Sequence, residues 1–99
     1  MVAELIDRFL DEAPRQLASI ERSLDAGDTE GAARTAAELS GMSAALGADQ
    51  VAEAARVLEH ALRAGARSTS ELPIGPTREA VGDLTDSLRD ARSQGWPDG

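Results

Sequence analysis

The chain predicts an all-α protein: an up-down-up-down four-helix bundle with a short extra helix at its N-terminus. Three observations lead there. Hydrophobic residues make up 41% of the 99 residues but aromatics only 2%, so the large side chains that fill sheet cores are missing. Alanine is abundant and β-branched residues seldom fall in runs, which favours helix. Apolar residues recur at three- and four-residue spacings, between glycines and prolines set where helices begin and end.

The elements follow in order. Leu5, Ile6, Phe9 and Leu10 form the stripe of a short first helix over 2–12. Pro14 suits the first turn of a second helix over 14–26, whose inward face is Leu17, Ile20 and Leu24. Gly27 supplies the left-handed residue that ends it. Asp28 or Thr29 caps a third helix over 29–46, about 27 Å long at 1.5 Å per residue. Its inward stripe is Ala32, Ala36 or Thr35, Leu39, Met42 or Ser43, and Leu46. Gly47 stops it, and Asp49 is placed to cap a fourth helix over 49–64, which buries Val51, Ala55 or Ala54, Leu58 and Leu62.

Residues 65–76 hold two prolines and two glycines and read as a loop, with Leu72 and Ile74 as apolar pins. A fifth helix over 77–93 turns Ala80 or Val81, Leu84, Leu88 and Ala91 inward. Residues 1–93 therefore make one bundle domain, and 94–99, with Trp96, a flexible tail. Short connections make successive helices antiparallel neighbours.

Composition limits the function. A net charge of −8, from 18 acidic and 10 basic residues, opposes binding to a nucleic-acid backbone and to an anionic membrane surface. Zero cysteines remove disulfides, thiolate metal sites and cysteine nucleophiles. No apolar stretch is long enough to span a membrane and no signal peptide opens the chain, so a cytoplasmic protein is expected. A chain of this length buries only about 60–65% of its unfolded surface, so contacts with a partner carry weight.

Enzyme chemistry finds no constellation. There is no glycine-rich phosphate loop and no serine with triad partners. Asp7, Asp11, Glu12, Asp25 and Asp28 lie on several helix faces rather than at metal-ligand spacing, so neither metal nor cofactor is expected. His60, the only histidine, lies two residues from core Leu58 and reads as a solvated surface residue.

The run Ala36-Ala37-Glu38-Leu39-Ser40-Gly41-Met42-Ser43-Ala44-Ala45-Leu46-Gly47-Ala48 resembles the signature of histidine-phosphotransfer (HPt) domains, roughly A-H-x-L-K-G-S-x-x-x-L-G-A. Leu5 to Pro14, with its acidic residues before the proline, is similar to the family's opening, and Ala26-Gly27-Asp28 falls where the family turns into its central helix. The resemblance implies the bundle fold and a role in two-component phosphorelays. It also puts Ala37 at the phosphoacceptor position and Ser40 at the lysine that offers charge to the phosphoryl group. An alanine methyl has no lone pair with which to attack an aspartyl phosphate.

Position 37 lies about 200° round the helix from Leu39 and so faces outward, and Gly41, one turn later, leaves space beside it. The resemblance thus implies a docking face of Ala33, Arg34, Ala37, Ser40, Gly41 and Ala44, flanked by Glu30. The partner would be a response-regulator receiver domain or a hybrid histidine kinase, held without phosphate transfer. Two rivals stand beside that reading. The small-residue face is buried in a homodimer with no phosphorelay role, or Ala37 is a deliberate replacement of histidine in an active HPt domain.

Overall fold

Glycine and proline punctuation divides the chain into four helices: α1 (Val2–Asp25), α2 (Thr29–Leu46), α3 (Asp49–Arg63) and α4 (Ile74–Ser93). The computed structural model describes residues 2–65 and 74–93.

The expected first two helices are one. α1 runs through Pro14 without a break. Proline has no N–H to give the Leu10 carbonyl, a local cost of about 3 kcal/mol inside a helix. Packing on both sides outweighs it: Ile6, Phe9, Leu10 and Ala13 before the proline and Ile20 after it are buried, each large side chain contributing about 1.5–3 kcal/mol. Pro14 itself is exposed, so its ring displaces nothing in the core. The four-helix bundle stands, and the extra helix is the first half of α1. Joining the halves also corrects Leu5, which is 39% exposed rather than core, because it falls at the edge of the continuous stripe, about 80° from Ala13.

Asp28 begins α2. Its Oδ1 accepts from the Gly31 N–H at 2.9 Å, and a Cβ on Gly31 would run into Asp28 Oδ2. Asp28→Ala is expected to destabilise the fold by about 1 kcal/mol, read as a lower urea midpoint with an unchanged slope. Gly47 ends the helix in the left-handed region, φ +83°, and its N–H and that of Ala48 return to the Ala44 and Ser43 carbonyls. That turn leaves two residues between helices and sends α3 back along α2.

α3 departs from expectation at its start. Ala48 occupies the cap position with no side-chain bond, and Asp49 lies inside the first turn, where its charge still suits the helix dipole. α4 begins three residues earlier than the prolines suggested. Pro76 falls in the first turn, where no intrahelical donor is needed, and Ile74 is buried. Of the expected loop, 66–73 with Leu72 lies outside the described residues, as do the tail 94–99 and Trp96.

Two core layers show how the helices run. One joins Ile20 late in α1, Ala32, Ala33 and Ala36 early in α2, Leu58 and Leu62 late in α3, and Ile74 opening α4. The other joins Phe9 and Ala13, Leu39, Val51 and Ala55, and Val81. Each layer takes alternate ends of successive helices, so the direction alternates. α1 packs on α2 and α4, and α3 on α2 and α4, with no close approach of backbones across either diagonal among the described residues. Val51, Ala55, Leu58 and Leu62 are buried as the spacing predicts; between Met42 and Ser43 it is Ser43 that is fully buried. Thr77 and Thr85 extend the inward face of α4 beyond the apolar stripe, and Thr77 Oγ1 donates to the Ala54 carbonyl at 3.3 Å.

Candidate functional site

α2 sits between α1 and α3, with Ala32, Ala36, Leu39 and Ser43 turned into the core. The opposite side is therefore what the helix presents outward. It carries Glu30, Arg34, Glu38, Gly41, Ala44 and Ala45, all exposed, with Ala37 half-buried among them. A Cβ on Gly41 would meet nothing within 4 Å, so the space one turn beyond position 37 is open.

Two expected members differ. Ala33 is 1% exposed and belongs to the core, packed in the layer of Leu58 and Leu62. The alanines of α2 allow α3 to approach closely, and the α2–α3 contact is wider than a single apolar stripe. Ala33 is one turn before Ala37 but rotated about 40° towards α3, enough to be covered. Ser40 is half-buried on the same side, and its Oγ donates to the Ala52 carbonyl of α3 at 3.0 Å. Ser40 is a tie between helices, with its hydroxyl proton already engaged.

On the other side, α1 and α2 leave a groove lined by Leu5, Arg8, Glu12, Gln16, Glu38, Met42 and Ala45. The sequence pattern alone did not find this groove. Apolar spacing puts Leu5 on the core stripe of a short N-terminal helix, and only the packing of α1 on α2 sets it beside Met42 and Ala45.

The charges are arranged unevenly. Arg8 pairs with Glu12 at 2.8 Å and Arg15 with Asp11 at 3.4 Å, both within α1. Arg63 of α3 reaches Glu59 at 3.0 Å and Glu30 of α2 at 3.5 Å. Its hydrogen bond to Glu59 foremost, and then the charge of Glu30, raise the guanidinium pKa from its ordinary value. Arg78 pairs with Glu21 across α4 and α1. Arg34 and Glu38, by contrast, have no partner among the described residues. His60 is exposed on α3 and is not brought to this face.

The arrangement offers no nucleophile at position 37, and Ser40 offers no cation. What it offers is an open, small-residue surface flanked by charge. Among the described residues no group of histidines and carboxylates could hold a metal ion, and no helix is long and apolar enough to cross a membrane.

No curated protein and no solved structure matches the chain. The family model of the Hpt domain matches residues 4–94, which takes in all four helices. The chain therefore belongs to the Hpt-domain family, the phosphotransfer carriers of two-component signalling.

Proposed function

We propose that this chain is a phosphorelay module that docks a receiver domain through the outer face of α2 and does not accept phosphate there. The observation that carries the reading is Ala37: a methyl group stands mid-helix at the outward position where the family motif has its histidine, beside the open space over Gly41. Docking needs shape and charge, not a nucleophile, so it outlasts the loss of chemistry. A receiver held on this face is withheld from an active phosphotransfer protein, and flux through the relay falls. The hybrid histidine kinase is the other partner class, engaged through its own receiver domain.

Amide NMR on the isotopically labelled 99-residue chain tests this, with purified receiver domains from the same organism as the probes. Shift changes are expected to cluster on Ala37, Glu38, Ser40, Gly41 and Ala44. Shifts confined to α4, or none with any receiver, would remove the docking role and leave a helical bundle outside the relay.

A further inference from the structure

Resting on receiver docking at α2, we infer that Arg34 and Glu38 select which receiver is held. The partner presents a carboxylate to Arg34 and a cation to Glu38, one helical turn apart. α2 has three charged side chains, Glu30, Arg34 and Glu38. Glu30 pairs with Arg63 of α3 at 3.5 Å. The other two are exposed, opposite in sign and four residues apart, yet they pair neither with each other nor with α1 or α3.

Two physical reasons keep them free. The order Arg then Glu along a helix is the less favourable one for an i,i+4 pair, because it opposes the helix dipole. Arg8 and Arg15 of α1 are engaged within their own helix, by Glu12 and Asp11, and Arg22, which lines the same groove as Glu38, forms no pair with it. The two free charges flank Ala37 on the helix, and Gly41, Ala44 and Ala45 extend the face as a neutral patch. A partner helix can approach that patch closely, which shortens the distance from its own charges to Arg34 and Glu38. Matched charges then attract and mismatched ones repel, and repulsion is what rejects wrong partners.

A second copy of the chain could also satisfy the pair, with Arg34 against Glu38 across a twofold. That arrangement centres the contact near Ala36 and leaves Gly41, Ala44 and Ala45 off the axis. It also brings together two chains of −8 each. The receiver is the occupant the charges favour.

The test is calorimetric titration of the whole chain with each purified receiver domain, alongside the double variant R34E/E38R and the milder R34Q/E38Q. Both positions are exposed, so helicity and thermal midpoint should match the parent. R34E/E38R is expected to weaken the preferred receiver at least about tenfold, with R34Q/E38Q intermediate. The difference should shrink in 0.5 M salt. Equal affinity of all three chains for a bound receiver overturns the selection and leaves docking intact. Absence of binding by the parent chain overturns docking, and selection with it. A doubled mass of the parent that R34E/E38R abolishes gives the face to a second copy instead.

Discussion

Phe9→Ala is expected to remove a large share of the stability of this protein. Phe9 is the chain's one phenylalanine and is 0% exposed, in the layer with Leu39, Val51 and Val81. The substitution loses the transfer energy of the ring and leaves a cavity that helix backbones cannot fully close, together about 3–5 kcal/mol. A domain of this size has in all about 5–15 kcal/mol. The loss should appear as a fall in thermal midpoint of roughly 15–25 °C, or as a chain already partly unfolded at 37 °C. Val57→Ala is the matched control. Val57 is 44% exposed on α3, and its truncation should change stability by no more than about 0.5 kcal/mol. Circular dichroism melts of the two variants and the parent decide the matter; equal melts would mean the core layer is not packed as described.

Ala37→His should supply a nucleophile at the motif position and let the chain take phosphate from an aspartyl-phosphorylated receiver. The imidazole nitrogen attacks phosphorus as the P–O bond to the aspartate breaks, the carboxylate departs, and the ring proton passes to water. Open space lies one turn on from position 37, where nothing is within 4 Å of a Cβ at Gly41. Adding Ser40→Lys should raise the rate at least about tenfold, since a fixed cation beside the transferring group stabilises its charge. It also releases the Ala52 carbonyl from the Ser40 hydroxyl, at a cost of about 0.5–1.5 kcal/mol in stability. The readout is acid-labile, base-stable label from a donor that phosphorylates an active Hpt domain, with the parent chain expected to remain blank. An unlabelled A37H/S40K variant that still binds the receiver would show that the docking geometry itself no longer aligns the phosphoryl group.

Much of this protein was legible before its structure. The limits of α2 followed from Asp28 and Gly47, and its inward stripe from Ala32 to Ser43, because a long periodic helix with a cap at one end and a left-handed glycine at the other leaves little choice. The buried set of α3 was legible for the same reason. The motif around Ala37 placed the chain in its family, and the family model covers the whole bundle. Pro14 misled, because local propensity charges the helix for a missing hydrogen bond and knows nothing of Phe9 and Ile20 packed on either side. Asp49 misled in a smaller way, as a side chain that favours caps but here sits one residue inside.

The face of α2 divides along the same line. That position 37 is an alanine, that it points away from Leu39, and that Gly41 follows one turn on are properties of one helix and its 3.6-residue period, open to anyone reading the chain. That Ala33 is covered, that Ser40 is tied to Ala52, and that Leu5 opens a groove with Met42 all depend on where α1 and α3 lie against α2. So does the isolation of Arg34 and Glu38, since whether a surface charge meets a partner depends on which side chains of the neighbouring helices come within reach. Period and punctuation act along a helix and can be read from sequence; coverage and pairing act between helices, and only their packing decides them.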